Sequence, residues 1–255
     1  MKRNPHERRR RILDALASGS VSVNELARRM NVSEVSIRRD LAALHHEGRL
    51  LRVYGGAIPS DRVAYEFSFK EKEAQHSAEK QAIGRAAAEL VEQGDAVFVD
   101  SGTTPLAAAL ALIHRQPALI VTINLAVASA CAGRKETNVL VPGGKVSPIS
   151  PDIYGEWTLE FLSRLTVDVA FIGCDSVDPK DGFYAVNTGI AAVARLMTER
   201  SRKTCLLADS SKFGRPSVCR IGRLSELDAV ITDRGLAAKF RRSVRDKRVK
   251  LILAK

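Results

Sequence analysis

The chain lacks long hydrophobic runs. None of its apolar runs approaches the roughly 18 residues that a helix needs to cross a bilayer. The start of the chain, residues 1–11, is densely basic and contains no hydrophobic segment of the kind that directs secretion. We therefore expect no membrane partner and a cytoplasmic location. The composition, 45% hydrophobic and 27% charged, is typical of a globular protein with a sizeable core.

Cysteine and histidine are also scarce, with four and five residues. The cysteines form no Cys-x-x-Cys pair and have no histidine at ligand spacing, so we expect buried, reduced thiols rather than a metal or redox site. The histidines fall outside the loops that follow the predicted strands, which argues against histidine catalysis. We therefore expect no metal, no cofactor and no catalytic residue. The cysteines are Cys131, Cys174, Cys205 and Cys219.

Acidic residues are scarce at the two ends of the chain, whose net charge is +11. Residues 1–60 contain 12 basic and 6 acidic residues, and residues 239–255 contain 8 basic residues and one acid. The charges between these segments nearly balance. Such an asymmetry is typical of a protein in which one part meets nucleic acid phosphates. We expect that contact from the first segment, whereas the C-terminal cluster is more typical of a solvated surface.

Three amphipathic helices are predicted near the start of the chain. The first runs from Arg8 to Ala17, the second begins at the capping box Ser22-Val-Asn-Glu25, and the third begins after Ser33. Only a short turn joins the second helix to the third. Two helices joined in this way form a helix-turn-helix, and the second of the pair lies in the major groove of DNA.

The third predicted helix has one buried and one exposed face. Ile37, Leu41 and Leu44 recur at helical spacing and form a buried stripe. Arginine on the other face suits phosphate or guanine because its planar fork makes paired hydrogen bonds, whereas lysine would serve a solvated surface equally well. We therefore predict a contact surface for double-stranded operator DNA. It comprises Ser33, Glu34, Ser36, Arg38 and Arg39.

A strand-like segment, residues 50–58, follows and is interrupted by Gly55 and Gly56. We predict a wing, in which Arg52 and Tyr54 flank the DNA backbone while the two glycines allow a tight turn or a close approach to phosphate. The alternative is an ordinary hairpin packed on the helices, and the two interpretations are compatible. No aromatic stacking platform accompanies the basic helices, so duplex DNA is favoured over RNA.

Residues 59–76 are polar and charged, which predicts a linker between a winged helix-turn-helix domain over 1–58 and a second domain over 77–255. In the second domain, apolar strands alternate with helical patterns. Strands that are apolar on both faces and separated by helices predict a mainly parallel sheet covered on both sides, in a doubly wound α/β fold. The predicted strands are 96–99, 118–122, 138–141, 167–172, 204–208, 229–232 and 249–253.

Polar residues follow several of these strands, where ligands of such sheets bind. After the first strand, residues 100–104 offer hydroxyl and amide groups just before a helix, which predicts a phosphate cradle. Lys212 supplies a suitable cation, and Asp175 and Asp209 are acceptors for sugar hydroxyls. Each turn alone is more typical of a surface loop, but their shared position at strand ends favours a ligand site.

These motifs resemble the DeoR family of bacterial transcriptional regulators over nearly the entire chain. Residues 32–41 and 48–57 resemble its DNA-binding segment and wing. Residues 79–80, 100–104 and 142–144, together with Gly173 and residues 207–213, resemble its C-terminal sensor domain. The resemblance implies a sensor fold similar to ribose-5-phosphate isomerase, and recognition of a phosphorylated sugar or related metabolite.

The resemblance also implies effector contacts by position. This chain departs from the family at Ile190 and Ala194, where a glutamate and a lysine are common, and at Ile123, which separates Thr122 from Asn124. The implied contact residues are Lys80, Asp100, Ser101, Gly102, Thr103, Thr104, Asn124, Gly143, Gly144, Asp175, Asp209 and Lys212.

Two functions fit these patterns. The first is a repressor of a carbohydrate-catabolism operon, whose operator binding a phosphorylated sugar or related metabolite modulates. The alternative is a sugar-phosphate isomerase-like enzyme with an attached DNA-binding domain, in which Asp175 or Asp209 is the general base. No second acid–base partner stands out in the sequence, so binding without turnover is favoured. Because helix-turn-helix proteins bind paired half-sites, we expect a homo-oligomer.

Overall fold

A computed structural model of the chain describes residues 5–16, 21–47, 49–53, 56–59, 69–133, 138–147 and 150–255. The chain divides into two compact units, residues 1–65 and 66–255. Among the described residues, no helix has both the length and the hydropathy needed to cross a bilayer. The elements of the first unit are α1 (Pro5–Leu16), β1 (Val21–Ser22), α2 (Val23–Met30), α3 (Glu34–His46), β2 (Leu50–Val53) and β3 (Gly56–Pro59).

Serine side chains begin two helices of the first unit. The hydroxyl of Ser22 accepts a hydrogen bond from the amide of Glu25 at 3.1 Å, before α2. The hydroxyl of Ser33 accepts one from the amide of Ser36 at 3.3 Å, before α3. Each hydroxyl satisfies an amide that has no partner within its helix. Both predicted helix starts are therefore confirmed.

The core of the first unit includes the predicted stripe of α3. Ile37, Leu41 and Leu44 are at most 1% exposed and pack with Ile12 of α1 and Leu26 of α2. Burying a side chain of this size contributes roughly 1.5–3 kcal/mol. The stripe thus fixes the rotation of α3 and directs its opposite face away from the core.

The strands of the first unit form an antiparallel sheet in the order β1-β3-β2. Leu50 and Ala57 are fully buried in the same core as the helices. Gly56 is also buried, and a Cβ at this position would clash with the carbonyl oxygen of Val21 in β1. The hairpin therefore packs on the helices, and this packing alone requires glycine at position 56.

The second unit begins with a helix inside the range predicted as a linker. Its helices are α4 (Phe69–Ala74), α5 (Ser77–Ala88), α6 (Thr103–Leu112), α7 (Leu125–Cys131), α8 (Glu156–Ser163), α9 (Thr188–Glu199) and α10 (Ala238–Arg245). Its strands are β4 (Ala96–Val99), β5 (Leu119–Thr122), β6 (Asn138–Leu140), β7 (Lys145–Val146), β8 (Ile153–Tyr154), β9 (Val167–Ile172), β10 (Ser176–Asp178), β11 (Gly182–Ala185), β12 (Ser201–Leu207), β13 (Cys219–Gly222), β14 (Ala229–Asp233) and β15 (Lys250–Ala254).

Seven of these strands form one parallel sheet in the order β15-β14-β12-β9-β4-β5-β6. They are the seven strands predicted from the sequence, so the predicted fold class is confirmed. The antiparallel β7–β8 pair and the sheet β10-β11-β13 were not predicted from the sequence. These strands have two to four residues, and most of them contain glycine or polar residues, so no apolar run marks them in the sequence.

Side chains of the parallel sheet alternate between two apolar cores. In β4, Val97 and Val99 join the core that contains Leu106 of α6, whereas Phe98 joins the core that contains Ile190 of α9. Successive residues of a strand point to opposite faces, so α6 and α9 cover opposite faces of the sheet. Burial on both faces explains why the central strands β4 and β9 are largely apolar.

The strand order reverses between β4 and β9. From β4 the chain continues outward to β5 and β6, and from β9 it continues the other way to β12, β14 and β15. The amide of Asp100, directly after β4, donates to the carbonyl oxygen of Phe171 in β9 at 3.0 Å. In doubly wound sheets, such a reversal opens a crevice beyond the carboxyl ends of the strands, where ligands bind.

Candidate functional site

A pocket of about 70 Å³ lies at this reversal, with residues after both β4 and β9 in its lining. Because one water needs roughly 10–15 Å³, the pocket has room for a small metabolite. Seven of the twelve residues that the sequence analysis assigned to an effector line it: Asp100, Ser101, Gly102, Thr103, Thr104, Asp175 and Lys212. The other lining residues are Phe69, Lys72, Pro105, Ser150, Asp152, Gly173, Cys174, Ala185, Asn187, Ile190 and Ile221.

The first turn of α6 forms one wall of the pocket. Its N-cap is Gly102, and within the described part of the chain no side chain caps the amides at this helix start. Thr103 and Thr104 begin the helix and are less than 10% exposed. Unsatisfied amides and the helix dipole attract anions, and Lys212 adds a positive charge to the same pocket. This wall suits a phosphate group.

Asp100 is a buried acid in the pocket lining. One oxygen of its carboxyl group, Oδ2, accepts a hydrogen bond from the amide of Gly173 at 3.0 Å. The other, Oδ1, is buried, and among the described residues it has no hydrogen-bond partner. Burial raises the pKa of Asp100 to about 8. Near neutral pH the carboxyl group is therefore mostly protonated, and it is able to donate a hydrogen bond to an anion.

Lys72 and Asp175 form an ion pair at the edge of the pocket. The Nζ atom of Lys72 lies 3.4 Å from Oδ1 of Asp175, and the amide of Val186 donates to Oδ2 at 2.9 Å. Lys80 does not line the pocket. Its buried ammonium group donates to the carbonyl oxygens of Lys72 and Gln75, and burial lowers its pKa. Lys80 thus fastens the end of α4, which carries Lys72.

Asn124 is likewise behind the pocket lining. It is fully buried, and its Oδ1 caps α7 by accepting from the amide of Val127 at 3.0 Å. Its Nδ2 donates to Oδ1 of Asp152, a lining residue, at 2.6 Å. The amide of Asn124 donates to the hydroxyl of Thr122 at 3.1 Å, which accounts for the threonine two positions earlier. Asn124 therefore orients Asp152.

Gly143, Gly144 and Asp209 are the other predicted effector contacts that lie outside the pocket lining. The hydroxyl of Thr158 in α8 donates to the carbonyl oxygen of Gly143 at 2.9 Å, and a Cβ at Gly144 would clash with that hydroxyl. Asp209 is 1% exposed and accepts from the amide of Ser211 at 3.0 Å. It caps the 3₁₀ turn Ser210–Lys212, which carries Lys212 to the pocket. These residues shape the loops around the site.

Cys174 is the lining residue with a thiol. The four cysteines are unbonded to one another, as expected. Burial raises the pKa of Cys174, so its thiol stays protonated near neutral pH. It therefore contributes a small apolar surface to the pocket rather than a nucleophile.

The exposed face of α3 carries the helix residues predicted to bind DNA. Arg38 donates to the carboxylate of Glu34 at 2.8 Å, one turn earlier, and Arg39 is exposed. Ser33 and Ser36 form the helix cap, and their hydroxyl oxygens lie 3.0 Å apart. Both serines thus have a structural role at the start of the helix.

The remaining predicted DNA contacts belong to the hairpin. Arg52 lies in β2, whereas Tyr54 and Gly55 lie outside the described residues. Part of the basic charge near the start of the chain serves the fold instead. Asp40 of α3 is 2% exposed and forms ion pairs with Arg8 and, at 3.4 Å, with Arg9 of α1.

Comparison with known proteins decides the family. The profile of the DeoR C-terminal sensor domain matches residues 75–234, and that of the DeoR-like helix-turn-helix domain matches residues 8–63. The chain belongs to the DeoR family. The DeoR resemblance carried by the motifs is confirmed, and the chain is a helix-turn-helix transcriptional regulator with a C-terminal sensor domain.

Similar proteins cover most of this DeoR-family chain. The HTH-type transcriptional regulator YgbI of Escherichia coli strain K12 is 36% identical to it over 98% of each chain. The glycerol-3-phosphate regulon repressor of the same strain is 35% identical over 84% of this chain and 85% of its own. A crystal structure of ribose 5-phosphate isomerase A from Neisseria gonorrhoeae is 18% identical, with a TM-score of 0.40, over 53% of this chain and 52% of the isomerase.

Two pocket-lining residues and one exposed residue of α3 in this DeoR-family regulator were not predicted from the sequence. Lys72 lies in a helix within the predicted linker, and Asp152 lies just before β8, one of the short strands that went undetected. Val35 is 65% exposed on α3, although apolar. Its position off the buried stripe, between Glu34 and Ser36, is the sequence signal that could have identified it.

Proposed function

We propose that this DeoR-family chain represses a carbohydrate-catabolism operon. In this proposal, a small phosphorylated metabolite that binds in the pocket changes the affinity of the chain for operator DNA. The observation that carries the proposal is the start of α6. Its N-cap is a glycine, and the lining beside it includes Lys212 and a buried carboxyl oxygen of Asp100 that has no hydrogen-bond partner among the described residues. The glycerol-3-phosphate regulon repressor, a relative named for a phosphate ester, supports the same class of ligand.

The phosphate is assigned to the amides of Thr103 and Thr104, with Lys212 as counter-ion. An ionised Asp100 would repel this anion. Because burial keeps the carboxyl group protonated near neutral pH, Asp100 donates a hydrogen bond to a phosphate oxygen instead. Asp152 supplies an acceptor oxygen for a hydroxyl group elsewhere on the ligand.

The DNA is assigned to the exposed face of α3. Arg38 and Arg39 contact base edges or phosphates in the major groove, while Ser33, Glu34 and Ser36 set the approach of the helix start. The hairpin of β2 and β3 flanks the DNA backbone as a wing, through Arg52, Tyr54 and Gly55, whereas the buried Gly56 packs against β1. Since operators are read as paired half-sites, we also propose that the chain acts as a homo-oligomer. Light scattering that shows a monomer on operator DNA would contradict this.

The positions of the acidic residues favour ligand binding without catalysis. Both carboxylate oxygens of Asp175 are engaged, by Lys72 and by the amide of Val186. Asp209 caps a turn and does not line the pocket. Neither is placed as a base beside a substrate carbon. Isomerisation of sugar phosphates by the purified chain, well above the uncatalysed rate, would show that the chain is an enzyme.

The test combines DNA and ligand. Duplexes are selected from a random pool by the wild-type chain, and their binding is followed by fluorescence anisotropy while a panel of sugar phosphates is added. We expect at least one compound to change operator affinity and to raise the melting temperature. The variant Lys212→Ala should lose both effects, whereas Lys180→Ala, which removes an exposed lysine outside the pocket, should keep them. A full response in the Lys212 variant would remove this residue from the site.

A further inference from the structure

The pocket has a second, apolar wall that takes no part in the proposed phosphate binding. Ala185, Ile190 and Ile221 line it, and each is at most 6% exposed. They come from β11, α9 and β13 and belong to a single apolar cluster. This cluster covers the face of the sheet opposite to α6. A ligand in the crevice therefore meets hydrogen-bond donors from one face and apolar side chains from the other.

The two helices that begin at the pocket differ at their first turn. Asn187 caps α9, and its Oδ1 accepts from the amides of Gly189 at 2.8 Å and Ile190 at 3.1 Å. Those amides are satisfied and do not attract an anion, whereas the start of α6 has no side-chain cap. The anionic end of a ligand consequently lies at α6. Its other end lies against the first turn of α9, where Ile190 projects into the pocket lining.

Near this wall, the acceptor oxygens of two polar residues already have partners within the protein. Asp175 is engaged through both oxygens, and Oδ1 of Asn187 serves the helix. A hydroxyl that is buried without a partner is disfavoured, whereas a methyl group in the same place gains from burial. We propose that the ligand of this pocket is a small phosphate ester whose end remote from the phosphate is apolar, with a methyl or deoxy carbon where a sugar carries a hydroxyl. The inference rests on the proposed phosphate site.

Calorimetric titration of the full chain tests this with a matched pair of esters. Glycerol 3-phosphate and propane-1,2-diol 1-phosphate differ only in that a terminal hydroxymethyl group of the first is a methyl group in the second. We expect the methyl-ended ester to bind about tenfold or more tightly. Equal or tighter binding of glycerol 3-phosphate would overturn the inference and leave the phosphate site intact. If neither ester nor inorganic phosphate binds, the phosphate site itself is wrong, and the inference falls with it.

Two variants assign the preference to the wall. Ile190→Thr places a hydroxyl in the lining and should reduce the preference for the methyl-ended ester to less than about threefold. Val193→Thr is the matched control, because Val193 lies on the same helix and in the same buried cluster but outside the pocket lining. It should lower the melting temperature to a similar degree and keep the preference. An unchanged preference in the Ile190 variant, or the same loss in both variants, would overturn the assignment.

Discussion

The face of α3 and the pocket of the sensor unit differ in how their residues work. On α3, Arg38 and Arg39 are themselves exposed for contact. Around the pocket, five of the twelve residues assigned to a ligand lie outside the lining, and Lys80, for example, holds the helix that carries Lys72. Helical periodicity determines the side that a residue faces, whereas a position after a strand determines only its neighbourhood. A surface helix can therefore be interpreted directly from its sequence, but a loop-built pocket requires the hydrogen bonds behind its lining.

The largest effect is expected where side chains contact their partner directly. The double variant Arg38→Ala/Arg39→Ala should weaken operator binding by roughly 2–6 kcal/mol, because each base contact is worth about 1–3 kcal/mol. The salt dependence of binding should fall as well if either arginine meets a phosphate. Arg164→Ala is the control, since Arg164 pairs with Glu160 one turn earlier, as Arg38 pairs with Glu34. The double variant is compared with wild type by anisotropy at physiological salt. If its operator affinity is that of wild type, the two arginines do not contact DNA directly, and the difference drawn between α3 and the pocket is lost.

The second prediction concerns Asp100, whose folded-state pKa of about 8 lies above its ordinary value of 3.8. Between these values the folded chain holds a proton that the unfolded chain releases, so the free energy of unfolding falls as pH rises from about 4 to 8. The variant Asp100→Asn has no such proton. Its stability relative to wild type should increase with pH by up to about 1.4 kcal/mol per pH unit, and its ligand affinity should not decline above pH 8.

Urea unfolding at pH 5, 6, 7 and 8 measures this difference. The exposed Asp246, replaced in Asp246→Asn, provides the control and should follow the wild-type profile. Parallel profiles for wild type and the Asp100 variant would show that Asp100 is ionised in the folded chain. The phosphate would then need another donor in its place.

A double-mutant cycle tests whether Lys80 acts through Lys72. Lys80→Met should weaken binding of the tightest phosphate ester by roughly 1 kcal/mol, because the end of α4 is no longer fastened. In the presence of Lys72→Ala, the same change should have little further effect, since Lys72 is the group that Lys80 positions. Affinities come from calorimetry of the four proteins. Additive losses would mean that Lys80 contacts the ligand itself, as its family motif implies.

The smallest effect is expected at Val35. An apolar side chain, 65% exposed in the first turn of α3, suits the methyl group of a thymine in the major groove. Deoxyuridine, which lacks this methyl group, should cost about 0.5–1 kcal/mol at one thymine of the selected duplex. In the variant Val35→Ala, replacing that thymine by deoxyuridine should no longer change the binding affinity. If the variant and the wild type show the same pattern across all thymines, Val35 does not read this base.

The main helices and strands could be predicted from the sequence, because they follow from the spacing of apolar residues along the chain. Each strand of the parallel sheet contains a run of apolar residues, and the caps at Ser22 and Ser33 are local signals. The lining from Asp152 and Ile221 could not be predicted in this way. These residues come from short antiparallel segments, or from turns beside them, whose positions depend on tertiary packing rather than on a local pattern.

The hydrogen bond from the amide of Gly173 to Asp100 has one more consequence. It joins residues that follow β4 and β9, so it links the two halves of the sheet beneath the pocket. The exchange rate of this single amide hydrogen with heavy water reports how often the halves separate there. A ligand that bridges both walls slows this opening. The floor of the pocket thus contains a natural reporter of occupancy, which needs no label and no DNA.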